Sequence, residues 1–152
     1  ELRGDFDLTR DLGLLYANTE CGIFGVLPQE NRPEAVGEAI PVARRTEVRT
    51  GKAVILANCR GDEVCAYEIE IEKLYGGSAP TRNLLLRVTD PALIALTGGI
   101  VQGMSGSPIV QDGKLVGAVT HVLLDDPQRG YGILVENMLS ASGMTAQSAA
   151  SA

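Results

Sequence analysis

Gly103-Met104-Ser105-Gly106-Ser107-Pro108 is followed at once by an apolar pair, a polar turn and a longer apolar run: Ile109-Val110, Gln111-Asp112-Gly113-Lys114, then residues 115–122. Glycine on both sides of the Met-Ser pair allows the backbone to bend sharply, and a sharp bend can aim successive N–H groups at one point. Such donors can hold the oxyanion that forms when a serine oxygen attacks a carbonyl. Ser105 is therefore the candidate nucleophile, with the N–H groups of Gly103 and Ser105 as the candidate oxyanion hole. Gly, Ser and Pro clusters also mark ordinary loops. The residues after the cluster favour the nucleophile. Pro108 stands where a strand can begin, since a first strand residue tolerates proline. Asp112-Gly113 is a two-residue hairpin signal. A serine on a bend immediately before a β-hairpin is thus expected.

The surrounding composition bounds the possibilities. The chain has 152 residues, enough for one domain with a true core. A net charge of −6 gives a nucleic-acid role no electrostatic support. No apolar run approaches the roughly 20 residues that span a bilayer. The chain starts at Glu1 with no visible signal peptide, and reads as a piece of something longer. Three cysteines and one histidine show no metal-ligand spacing, so neither a metal nor another cofactor is expected. Cys59 and Cys65 flank a turn at residues 60–63. A two-residue loop there offsets them and a three-residue loop sets them opposite, so the spacing leaves a bridge open.

Along the chain, strand patterns dominate. Leu12, Leu14 and Leu15 suggest a short apolar anchor, and residues 21–27 (CGIFGVL) a short strand. Further short strands are expected at 39–42 and 47–48. Residues 52–58 (KAVILAN) and 63–72 (EVCAYEIEIE) form the clearest hairpin. Its second arm alternates, with Val64, Ala66, Tyr67, Ile69 and Ile71 read as apolar positions and Glu68, Glu70 and Glu72 as a solvated face. Residues 83–89 read as a strand. Asp90-Pro91 opens a helical turn as N-cap and first helical residue, ended by Gly98-Gly99. Residues 123–129 read as a loop, 130–134 as a strand, 135–141 as a helix stopped by Gly143, and 145–152 as a frayed tail. The predicted fold class is all-β, a chymotrypsin-like barrel with a short C-terminal helix. An α/β-hydrolase elbow would need alternating strands and helices that this order lacks.

Residues 98–108 (GGIVQGMSGSP), with 117–122 (GAVTHV), Asp126-Pro127 and Gly130-Tyr131-Gly132, resemble the SpoIVB peptidase family, the stage IV sporulation serine peptidases. Residues 22–25 (GIFG) fit the same pattern, and the likeness runs from about residue 10 to residue 143. The resemblance implies a serine endopeptidase that cleaves a membrane-bound regulator in the space between forespore and mother cell. That cleavage triggers intramembrane proteolysis and activates a late sigma factor. It also implies an upstream membrane anchor and PDZ domain in the parent protein. Ser105 matches the family nucleophile, and Asp90 its essential acidic residue. The family histidine belongs to a G-H-[IV] motif that this sequence does not contain. On that reading residues 1–152 are the nucleophile-bearing part of a peptidase domain, N-terminally truncated, and inactive without the missing base.

Two residues keep alternative readings open. His121 is the only histidine, on the strand expected to pair with substrate, so Thr120, His121 and Val122 are candidate substrate-binding residues. A pocket-wall or core role suits His121 better than that of base. Asp90 can orient a base, line a pocket or simply cap the helix. A non-catalytic peptide-binding module of the same shape is the alternative function. A halved two-lobed fold would also expose apolar surface, so a homodimer is a further expectation.

Overall fold

The computed structural model describes residues 11–32, 34, 38–61, 63–76 and 79–143. Two antiparallel strands, β1 (Leu14–Thr19) and β2 (Gly22–Val26), form a separate hairpin. The remaining strands are β3 (Gly51–Arg60), β4 (Glu63–Leu74), β5 (Leu84–Val88), β6 (Pro108–Gln111), β7 (Lys114–Leu123) and β8 (Asp126–Leu134). They close a barrel in the order β3-β4-β5-β8-β7-β6, every neighbouring pair antiparallel. Among the described residues the α-helices are short, α1 (Pro91–Thr97) and α2 (Val135–Ala141).

Period-two alternation fills the barrel. On β4 the inward residues are Cys65, Tyr67, Ile69 and Ile71; on β5 they are Leu84, Leu86 and Val88. Ile55, Ile109, Val116, Val119 and Ile133 meet them from the other strands. The β4 alternation thus begins at Cys65, and Val64, read as apolar-side, is exposed on the glutamate side. Cys65 is a free thiol and stands opposite Ala57 in the ladder.

The glutamate face is more than solvated. Glu70 pairs with Arg87 at 2.7 Å, and Glu72 pairs with both Arg87 and Arg129 at 2.9 Å. These bonds run across β4, β5 and β8. They lower the Glu72 pKa, the hydrogen bond from Arg129 contributing most.

Other expectations need correction. Of the residues read as a short anchor, Leu14 and Leu15 open β1, and both they and Leu12 are exposed. Near 39–42 only Val42 makes a β-bridge, to Leu115, and residues 45–47 form a single 3-10 turn. The loop expected at 123–129 is strand on both sides of a Leu124-Asp125 turn. Pro127 is accommodated near the start of β8, where few strand bonds require its missing N–H. The predicted tail at 145–152 lies outside the described residues. Helix α2 falls where the pattern put it, and buried Asn83 ties it down: its side-chain oxygen accepts the Leu134 N–H at 2.9 Å and the Asn137 amide at 3.0 Å.

Candidate active site

Strands β5 and β6 are not neighbours in the ring, so the segment joining them must cross one end of the barrel. That segment holds α1 and Ser105. Helix α1 begins at Asp90, whose Oδ1 accepts the N–H groups of Ala92 at 2.8 Å and Leu93 at 3.2 Å. Its Oδ2 accepts the Glu68 N–H at 3.1 Å, which fixes the helix start to β4. The helix ends at Gly98 in the left-handed conformation, φ 79°. Next, the Ile100 N–H bonds the Pro127 carbonyl at 2.7 Å.

Two consecutive turns come next. The Met104 N–H returns to the Val101 carbonyl at 3.1 Å, and the Ser107 N–H to the Met104 carbonyl at 3.0 Å. Each turn has glycine third, Gly103 at φ 102° and Gly106 at φ 91°, the position that needs a positive φ in a type II turn. Met104 is buried between them, and its Sδ accepts the Val101 N–H at 3.5 Å. The Gly106 N–H then bonds the Val119 carbonyl at 2.8 Å and seats the loop on β7. Among the described residues, the N–H groups of Gly103 and Ser105 bond nothing within the chain. Both belong to residues read from the sequence as candidate oxyanion donors.

Ser105 is exposed, and its hydroxyl donates to the Thr120 carbonyl at 3.2 Å. Strand β6 pairs with β7 as far as Ala118, and Val119 bonds the loop through the Gly106 N–H and the Ser107 carbonyl; beyond Val119, β7 has β8 on one side and no backbone partner on the other. Thr120, His121 and Val122 lie in that half-strand, beside Ser105. The Thr120 hydroxyl is turned to the Thr81 and Tyr131 carbonyls, each at 3.1 Å. Val122 packs against the core. His121 is exposed, which removes the core reading of that residue.

Asp90 is not joined to Ser105 by any direct bond; both its oxygens serve backbone N–H groups. Those bonds, the one from Glu68 foremost, hold its pKa below the ordinary carboxylate range. Asp90→Ala is expected to cost about 1–2 kcal/mol of stability, as lost caps do. Asp90→Asn, which keeps an acceptor, should cost less. Urea midpoints will check both, and equal midpoints for all three proteins would reject the cap. A depressed folded-state pKa means that the unfolded chain binds the proton more readily. The contribution of Asp90, and likewise of Glu72, is therefore complete above about pH 5 and lost as pH falls through about 4 and below. In Asp90→Asn the acid slope of stability should be shallower than in the wild type.

The sequence reading leaves Ile100, Pro127 and Gly130 without a role. The structure puts them directly under the nucleophile loop. A Cβ on Gly99 would stand 2.3 Å from the Pro127 carbonyl oxygen, so main chain touches main chain there. The Gly98-Gly99 pair and the mid-strand glycines of Gly130-Tyr131-Gly132 were the available signals.

Comparison with known proteins agrees with this architecture. The chain superposes on the Rv3671c protease from M. tuberculosis in its active form with a TM-score of 0.54 and 21% identity. That match covers 88% of this chain and 59% of the other, so the chain spans about three fifths of that protease. The inactive form gives a TM-score of 0.55 at 19% identity, covering 86% of this chain and 65% of that one. At such identities the likeness establishes the fold, the chymotrypsin-like barrel expected from the sequence. No curated protein matches the chain. The family model for the SpoIVB peptidase S55 matches residues 1–139, and the chain belongs to that family.

Proposed function

We propose that this chain carries the nucleophile, oxyanion hole and part of the substrate edge of a serine endopeptidase. One observation carries the proposal: the exposed Ser105 hydroxyl, with unbonded N–H groups at Gly103 and Ser105, stands beside the unpaired edge of β7. An extended peptide can add a strand to that edge along residues 120–122, which brings a backbone carbonyl to Ser105. Attack forms a tetrahedral oxyanion that the two N–H groups can accept. Asp90 serves by holding the start of α1, the helix that leads into the loop.

The hydroxyl now donates to a carbonyl, which cannot take its proton, and no imidazole or carboxylate bonds it among the described residues. We assign the base to the G-H-[IV] histidine of the family, which this sequence does not contain. The chain by itself is accordingly inactive. By the same kinship the full-length protein cleaves a membrane-bound regulator during sporulation, between the forespore and mother-cell membranes, with a PDZ domain and membrane anchor upstream. No helix among the described residues is long and apolar enough to cross a membrane.

A fluorophosphonate probe tests the assignment. Full-length protein and the 152-residue chain would each be labelled, digested and mapped by mass spectrometry. The expected result is an adduct on Ser105 in the full-length protein alone. An unlabelled full-length protein would reject the peptidase reading and favour the binding module. Equal labelling of the short chain would place the base within it, with His121 the candidate.

A further inference from the structure

The loop that carries Ser105 is bonded to the barrel wall at each end. At one end the Ile100 N–H bonds the Pro127 carbonyl of β8; at the other the Gly106 N–H bonds the Val119 carbonyl of β7 and the Ser107 carbonyl accepts the Val119 N–H. Between them no other backbone bond joins the loop to β7 or β8 among the described residues. A peptide laid on the unpaired edge of β7, with its scissile carbonyl at Ser105, directs the side chain on the acyl side of that bond into this interval.

The interval is already occupied. Ile100 is 4% exposed, and its Cδ1 lies 2.7 Å from where a Cβ on Gly130 would sit. Glycine at 130 is what makes room for the Ile100 side chain, since a Cβ there would also stand 2.5 Å from the His121 carbonyl oxygen. Next to Ile100 in the chain, main chain lies close on main chain where Gly99 meets Pro127. Asp126, next to Pro127, is paired with Arg129 at 3.4 Å, and Arg129 in turn bonds Glu72.

We infer that the subsite for the residue on the acyl side of the scissile bond is shallow and uncharged, and that Ile100 sets its depth. It accepts Gly, Ala, Ser and, at its limit, Val. It refuses aromatic, long aliphatic and basic side chains. The inference rests on Ser105 being the nucleophile and adds the substrate class of that site.

The test uses full-length protein and peptidyl diphenyl phosphonates that differ only at the residue next to the phosphorus: Ala, Val, Leu, Phe or Lys. The rate of adduct formation on Ser105 is read by mass spectrometry. Serine oxygen attacks phosphorus, the hydroxyl proton passes to the base, and the P–O bond to one phenoxide breaks, that group taking the proton from the base and leaving as phenol. The Ala reagent should react fastest, with Phe and Lys slower by about tenfold or more, the scale of discrimination that a few methylenes bring in an apolar pocket. In Ile100→Ala the Phe reagent should gain about tenfold relative to Ala, and in the milder Ile100→Val the shift should be intermediate. Phe or Lys reacting as fast as Ala in the wild type would overturn the inference, as would an unchanged ranking in both variants. Failure of every reagent would instead reject Ser105 as nucleophile. A second measurement needs no chemistry: indole titrated into wild type and Ile100→Ala, followed by the amide resonances of Thr120 and Gly130. Saturable shifts in the variant alone are expected; shifts in both proteins or in neither overturn the proposed pocket.

Discussion

Ser105→Ala in the full-length protein is expected to lower kcat/KM for a cleavable peptide by about 10⁴-fold or more, while the fold stays intact. The size comes from chemistry: removing the nucleophile of a peptidase leaves only what the oxyanion donors and substrate binding contribute. The intact fold comes from the structure. Ser105 is exposed, and its side chain makes one bond, to the Thr120 carbonyl. The turns that shape the loop are made by main-chain atoms of Val101, Met104 and Ser107, none of which changes. Thermal unfolding of the variant should therefore match the wild type within about 2 °C, a surface substitution being worth about 0.5 kcal/mol at most. Turnover within tenfold of wild type would remove Ser105 from the reaction, whatever the family of the chain.

Gly117→Ala should have the largest effect on stability. Gly117 sits mid-strand on β7, between Ile109 of β6 and Leu134 of β8. A Cβ at that position would lie 1.8 Å from the Ile133 carbonyl oxygen and 2.9 Å from its carbon. Both atoms are backbone and cannot swing aside as a side-chain end would. Relief requires β7 and β8 to separate, at a cost of about 3 kcal/mol or more. Gly76→Ala is the matching control: nothing stands within 4 Å of its Cβ position, and its φ is not in the left-handed region. It should be neutral or slightly stabilising, because alanine restricts the unfolded chain. Urea unfolding of the three proteins decides the matter, and coincident curves for Gly117→Ala and wild type would contradict the close pairing of β7 with β8.

How much of the molecule is legible in its sequence depends on whether the cause is local. The hairpin from Pro108 onward, the Asp90 cap and helix α2 are written in neighbouring residues, and each stands where those residues put it. The two turns around Met104 are likewise local, because Gly103 and Gly106 supply the φ values that they need. The illegible features come from partners distant in sequence. Glu72 reads as a wet residue until β5 and β8 bring Arg87 and Arg129 beside it. Ile100 reads as one more apolar residue until Gly130 is set against it. Residues 14–19 carry three large apolar side chains with no clean alternation, so their strand is hidden behind a pattern that suggests an anchor. At Asp126-Pro127 the loop chemistry of the dipeptide is overridden by pairing of Leu123 with Asp126.

The barrel is sewn shut by very little. Strands β3 and β4 share a long ladder, whereas β3 and β6 meet only at Val54–Val110 and Ile55–Ile109. A ring parts first at its shortest seam, so the amides along β6 will exchange with solvent deuterium sooner than those of β4. Strand β6 begins at Pro108, just past Ser105. Each opening of the seam therefore slackens the downstream anchor of the nucleophile, and breathing of the barrel becomes a clock that the catalytic loop must share.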